Sequence, residues 1–439
     1  MRSNRDILIL NVLLAAFWVR MTYGFIAEEI ITPLVGAQSY VYLAFDAIIV
    51  ALGMITMRHV HDFVWAFVFI ISSWFITVLI NEEGTMFYLN GLRDFISFLF
   101  VVPILRYFLN GKDSTRRNEF IEMMDSNLYW MLMVQIPCIF YQFFMYGAGD
   151  HGGGSLGNGN SGIISTFIYI VAFYLMNKRF DKQHYVKSLW RNKMLLLALV
   201  PTFFNETKIS FIYFVLFFLL LIPLDKKAFM RTMIAIPLLV VAIWAGVLLY
   251  AATNGFSITE MLNLEYLYSD DEDLELYARW LFESGDEGFL EDLPRITKVA
   301  LLPELWDEYN GAHDIYGFGV GHFKGGTVVA DSEFYNANKW LLVGSVPYLY
   351  HIIIQLGYIG LALVIFYLGY VVGYKPIKGL KRDYAVQIYM VITWLMIFFY
   401  NDSLRFAHVV LPMFYICMLA YREDAAPKEI SDPEIAVLS

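Results

Sequence analysis

The chain has 439 residues, of which 59% are hydrophobic and only 16% charged, with 37 Phe, 30 Tyr and 10 Trp. A soluble domain averages roughly 45–50% apolar and about 25% charged residues, so this composition, with a mean hydropathy of +0.55, excludes an ordinary water-soluble globule. The two cysteines, Cys138 and Cys417, both lie in apolar runs, which excludes a disulfide framework and a Cys-x-x-Cys metal pair, and the net charge of −10 gains meaning only from its distribution.

Apolar runs near 7–26, 41–57, 63–80, 92–109, 128–146, 162–176, 195–204, 209–224, 233–251, 346–372, 384–400 and 407–421 predict an all-α, polytopic helical membrane protein of about twelve transmembrane helices. The opening Met1 to Asp6 and its apolar run look like the first two regions of a signal peptide. Phe17, Trp18 and Arg20 follow instead of a small-residue cleavage site, so the segment reads as a retained first helix. Most of the 31 Lys and Arg fall on the side that holds the N-terminus, notably Lys178, Arg179, Lys182, Lys187, Arg191 and Lys193, which predicts that both termini are cytoplasmic. The expected division is helices 1–9 over residues 1–251, an external loop domain over 252–345, helices 10–12 over 346–421 and a cytoplasmic tail over 422–439.

Polar residues inside or beside the runs need a reason, because a charge at mid-membrane costs at least about 2.5 kcal/mol. Arg93 and Asp94 open the fourth run from the outer side, as an interfacial ion pair or as an anion contact. Gly147 to Gly162 holds eight Gly, with Asp150, His151, Asn158 and Asn160, and reads as a mobile connector or as backbone amides offered to a ligand. Asn205-Glu206-Thr207-Lys208 is a polar turn, and Arg405, His408 and Asp402 are a self-paired cluster or a ligand site.

The long external segment carries five basic and eighteen acidic residues. Leu274, Tyr277, Trp280 and Leu281, and then Ile296, Val299, Leu302 and Trp306, stand at helical spacing and predict two amphipathic helices. In so acidic a setting Arg279 and Arg295 are either loop salt bridges or guanidiniums that grip a phosphate bidentately. Gly317-Phe318-Gly319-Val320-Gly321-His322 has no βαβ unit around it, which excludes dinucleotide binding and leaves a tight turn presenting His322. His322, Asp331 and Glu333 are the general-base candidates. No metal-ligand set is evident.

The order of these features resembles the bacterial O-antigen and capsule repeat-unit polymerases (Wzy) and the related O-antigen ligases, inner-membrane glycosyltransferases of the GT-C type. Four stretches carry the likeness: Asn90-Gly91-Leu92-Arg93-Asp94, the Gly147 to Gly162 loop, Arg295 followed by Gly317-Phe318-Gly319-Val320-Gly321, and Gln355-Leu356-Gly357-Tyr358-Ile359-Gly360. The resemblance implies a multi-pass protein of the bacterial inner membrane with 252–345 as a periplasmic loop. It implies an undecaprenyl-pyrophosphate-linked oligosaccharide as donor and acceptor, with the lipid bilayer as environment, no nucleic acid, no cofactor and a chain-length regulator left open as a further partner. The reaction is metal-independent polymerisation of repeat units for O-antigen (lipopolysaccharide), capsule or exopolysaccharide.

On that resemblance Arg295, Arg93 and Arg279, with Lys208 and Arg405, hold the pyrophosphate, while His322, Asp331 and Glu333 accept the proton or position the acceptor. The ligases place a His-Asn pair at a set spacing before the Gly of the next span. Counted back from Gly357 that spacing lands on Val346, with His351 displaced, so transfer to lipid A core is the alternative rather than the first reading. A transporter of lipid-linked glycan is the rival class, but related halves, its usual sign, are not detectable in the sequence.

Overall fold

A computed structural model describes residues 4–82, 84–110, 114–181, 184–205, 209–222, 244, 248, 295–309, 311–323, 332–338, 342, 346–373, 381–419 and 421–422. The first six helices are α1 (Asn4–Phe25), α2 (Gln38–Thr56), α3 (Val60–Trp74), α4 (Thr85–Leu109), α5 (Ser114–Tyr146) and α6 (Ser161–Arg179). Short helices α7 (Tyr185–Arg191) and α8 (Lys193–Leu197) precede α9 (Ile209–Leu221). Beyond the undescribed stretch come α10 (Arg295–Ala300), α11 (Leu302–Glu308), α12 (His313–Tyr316), α13 (Glu333–Asn338), α14 (Tyr348–Gly373), α15 (Tyr384–Tyr400) and α16 (Ala407–Met418). Among the described residues the one strand pairing joins Lys381–Arg382 to Tyr421–Arg422.

Six stretches are long and apolar enough to cross a membrane: Asn4–Ile30, Thr32–Thr56, Val60–Ile80, Ser114–Tyr146, Ser161–Arg179 and Tyr348–Gly373. Shorter apolar helices lie at Lys193–Phe203, Ile209–Leu221, Tyr384–Tyr400 and Ala407–Met418. The chain is therefore an all-α, multi-pass membrane protein. Each apolar run expected from the sequence coincides with a helix, except 195–204 and 233–251, of which last the structure describes too little to compare. The expected run 195–204 is broken: α8 ends at Leu197, and the 3₁₀ turn Val200–Phe203 has Pro201 as its second residue, which has no N–H to continue the helical ladder.

Burial sorts the helices into a centre and a flank. Every residue of α16 is buried, and 83% of the apolar window of α6 is buried, against 28% for the stretches holding α2 and α3. A helix that is apolar all round belongs inside; α16 lies among α4, α6, α14 and α15, while α2 and α3 present apolar residues outward. Gly53 lets α2 close on α4, since a Cβ there would run into Phe100.

The two ends of the bundle differ in how they treat charge. At the basic end, Asp6 pairs with Arg116 and accepts from the Tyr107 hydroxyl, Asp62 pairs with Arg106, and Asp125 pairs with Lys178. Each of these three carboxylates meets a cation, and such pairing is how charges near helix ends are tolerated. The opposite end carries residues 147–162, the turn 401–406 and the described part of the lobe between Arg295 and Phe323. At this lobe end the charged groups form a connected network.

Candidate functional site

The site starts from a break in a helix. Gly357 has φ 60° and ψ −161° inside α14, a conformation open to glycine and costly for any other residue. The break frees the carbonyls of Ile354 and Gln355, which accept hydrogen bonds from the amides of Phe318 and Gly319, both at 2.9 Å. The strap Gly317-Phe318-Gly319-Val320-Gly321 thereby lies along the broken helix. Its other edge meets the π-helical turn Phe75–Ile80 that continues α3 and the residue after it: Val320 N donates to Thr77 Oγ1 at 2.8 Å, and Asn81 Nδ2 donates to Gly317 O at 3.3 Å.

Glycines at the seam leave no room for side chains. A Cβ on Gly91 would strike the backbone of Gly321, one on Gly321 would strike Phe87 O, and one on Gly357 would strike Ile315. Three motifs far apart in the sequence, Asn90-Gly91, the glycine strap and Gly357, are thus one contact.

From the strap a polar chain runs into the membrane domain. Gly321 N donates to Gln355 Oε1 at 2.9 Å, and Gln355 Nε2 lies 2.8 and 3.2 Å from the two ring nitrogens of His351. His351 Nε2 is 3.4 Å from Asp94 Oδ2, which accepts from Arg405 Nη2 at 3.0 Å, and Arg405 Nη1 donates to Asp402 Oδ2 at 2.8 Å. His351 also stacks on Phe95, 5.7 Å between ring centres.

Two further arginines stand beside this chain. Arg93, next to Asp94 on α4, pairs with Asp46 of α2 at 3.1 Å, and Asp46 is in turn within electrostatic reach of Arg20. Arg20 lies on the ring of Tyr42 at 3.4 Å. Arg93 and Arg405 keep 21% and 22% of their side chains exposed, so both are anchored yet reachable. Arg295, at the start of α10, lies over the ring of Tyr400 at 4.2 Å, two residues before Asp402. Lys298 on the next turn of α10 is fully buried.

The structure thus brings Arg93, Arg295 and Arg405 to one end of the bundle. Arg93 is paired with Asp46 rather than with its neighbour Asp94, and Arg405 takes Asp94 as well as Asp402. His408 does not join that group; it is buried on α16 within electrostatic reach of Arg20. Arg279, Lys208 and Asp331 lie outside the described residues, and Glu333 opens α13.

His322 follows the strap and packs on Phe334, 4.4 Å between ring centres. Burial lowers its pKa to about 4, with His313 adding to the effect, so the ring is neutral at pH 7 and a weak proton acceptor. Its carbonyl accepts from Ser332 Oγ at 2.9 Å.

The glycine-rich loop is neither a loose connector nor an open cradle of amides. Gly154 N and Ser155 N donate to the side-chain oxygens of Gln142 and Gln135, and Asn158 N donates to Glu28 at 2.6 Å. Gly24 of α1 admits the loop, since a Cβ there would strike Leu156 O. Of the two expected amphipathic helices, 273–284 lies outside the described residues. The second is split into α10 and α11 at Leu301, just before Pro303, and α11 buries Leu302 and Leu305.

Sequence reasoning missed Asp46, Gln355 and the joining of His351 to Asp94. The first reads as one acid in an apolar run, and the others have partners 34 and 257 positions away in the chain. Gln355 had one signal, its place two residues before Gly357.

Chemically, the arrangement offers guanidiniums fixed in place by carboxylates and rings, at the end of the bundle where a glycine strap closes over a broken helix. Guanidiniums of this kind suit an anionic oxygen ligand such as a phosphate. No protein-family model matches this chain, and no curated protein matches it.

Proposed function

We propose that the protein is a glycosyltransferase of the bacterial inner membrane that polymerises undecaprenyl-pyrophosphate-linked oligosaccharide repeat units at the periplasmic face. In this reading the lobe end is periplasmic, the bundle has about twelve spans in a GT-C type arrangement, both termini are cytoplasmic and residues 252–345 roof the site. The observation that carries the reading is the placement of Arg93, Arg405 and Arg295 at the strap end of the bundle, with Asp46, Asp94 and Asp402 holding two of them in place. The resemblance to Wzy-type polymerases supports the same reading from the order of the motifs.

The chemistry asks little else of the protein. In the transfer, an acceptor hydroxyl oxygen forms a bond to the donor's anomeric carbon as the bond from that carbon to the pyrophosphate oxygen breaks. Charge grows on the leaving pyrophosphate, and fixed guanidiniums stabilise it without reorganising at the moment of reaction. Arg405 and Arg93 serve that role, with Arg295 on the lobe side and Arg279 and Lys208 as further contacts. The acceptor proton goes to Asp331 or Glu333, or to the leaving pyrophosphate. His322, neutral and a weak base, positions the acceptor. Holding both glycans in register supplies the rest of the rate.

The test is incubation of purified protein with an undecaprenyl-pyrophosphate oligosaccharide, EDTA present and nucleotide absent, with products resolved by mass. A ladder spaced by one repeat unit is expected. Unchanged substrate, across several repeat structures, contradicts polymerisation, and lipid A core as acceptor then tests ligation.

A further inference from the structure

A second site lies at the opposite, basic end of the bundle. α2 and α3 are joined by the turn Met57–His59, and each packs on α4, leaving a groove of about 550 Å³ between them, within the roughly 300–1,000 Å³ of small-molecule sites. Phe100 and Ala66 form its floor, and Met54, Phe63, Phe67 and Ile71 its outward walls, with exposures of 59%, 58%, 53% and 46%. These walls are what an acyl chain contacts.

The mouth of the groove has the opposite character. Arg58 and His59 line it and are exposed. Arg58 lies over the Tyr107 ring at 4.4 Å and makes no ion pair with a described residue. Its near neighbours are paired: Arg116 holds Asp6 and Arg106 holds Asp62. Arg5 reaches the end of α2 and donates to Ile55 O at 3.2 Å. The groove therefore joins an apolar trough to a positive charge that pairs with no carboxylate among the described residues and is held in place by an aromatic ring. Basic pockets between membrane helices take anionic lipid head groups in this way.

We propose that this groove binds one anionic glycerophospholipid, with an acyl chain between α2 and α3 and the phosphate at Arg58 and His59. The site is separate from the one at the lobe end and does not depend on the reaction proposed there.

Native mass spectrometry of the full-length protein, released from detergent carrying equal amounts of phosphatidylglycerol and phosphatidylcholine, tests this. One phosphatidylglycerol retained per chain, in preference to phosphatidylcholine, is expected. Arg58→Gln should weaken its retention about fivefold, and Lys187→Gln, at an exposed cation elsewhere on the same end, should not. Ala66→Phe, which raises the floor, should release the lipid whichever head group it carries. Equal retention of the two lipids by the wild-type protein overturns the proposal, as does a preference unchanged in Arg58→Gln with His59→Gln. The wild-type comparison stands even where Ala66→Phe fails to fold.

Discussion

Arg405 reaches Asp94 with one nitrogen and Asp402 with the other, so its guanidinium is fixed at two points and only part of its surface is left for a ligand. Breaking a buried pair costs about 3–5 kcal/mol because the surviving charge stays buried. Here Asp94 is buried and Arg405 keeps part of its surface exposed, so Asp94→Asn should cost about 1–3 kcal/mol, read as a lower midpoint of thermal unfolding in detergent. Arg405→Lys keeps the charge and loses the fork. It should destabilise by a similar amount, and the double variant should lose less than the sum of the two, since both remove the Asp94–Arg405 pair while Arg405→Lys also loosens Asp402. Additive losses would mean that the pair is not coupled.

His322 gives a pH signature. The folded protein holds its ring pKa at about 4 against 6.5 for a free imidazole, so the unfolded chain takes up a proton first. The stability that follows from the neutral ring is complete above pH 6.5 and is lost as the pH falls from 6.5 towards 4. Amide exchange across 313–323 should therefore quicken between pH 7 and pH 5 beyond its intrinsic change. His322→Phe should remove that excess, and an unchanged profile in that variant would place the titration elsewhere.

At the scale of elements, the strap and the broken helix meet on glycine. Replacing a mid-helix glycine by alanine ordinarily stabilises a helix by about 1 kcal/mol. Gly369, in the same helix as the break and with open space around it, should follow that rule. Gly91→Ala should go the other way and lower the unfolding midpoint, because its Cβ meets backbone of the strap rather than a side chain that can turn aside. If both substitutions stabilise, the strap does not sit against α4 as described. These motifs were visible in the sequence as separate glycines. Periodicity assigns a face to each helix, but it cannot tell that Gly91 faces Gly321, 230 positions further along the chain. The same limit hid the split between α8 and its 3₁₀ turn: hydropathy sees one apolar run, while Pro201 breaks its hydrogen bonding.

For the whole molecule, the apolar runs made the helical architecture legible, since a membrane segment writes its own length and composition into the sequence. The arginines of the candidate site were legible as charges that needed a reason. Asp402 was legible beside Arg405, but Asp46 as the partner of Arg93 was not, because it acquires meaning only when α2 is brought against α4. Sidedness is a separate claim and can be measured. With Cys138 and Cys417 replaced by alanine, Asn158→Cys should react with a membrane-impermeant maleimide added to spheroplasts, and Lys187→Cys should react only after permeabilisation. The reverse pattern would turn the protein over and place the arginine cluster on the cytoplasmic face.

The central claim is that the lobe-end arginines hold a pyrophosphate while a glycan is transferred. The most direct measurement is the product ladder from purified protein and undecaprenyl-pyrophosphate oligosaccharide in EDTA, with Arg405→Gln and Arg93→Gln run beside the wild type. A wild-type ladder spaced by one repeat unit, reduced at least about tenfold in each folded variant, is the predicted result. A ladder of equal yield in both variants, or none from the wild type with several repeat structures supplied, would contradict it.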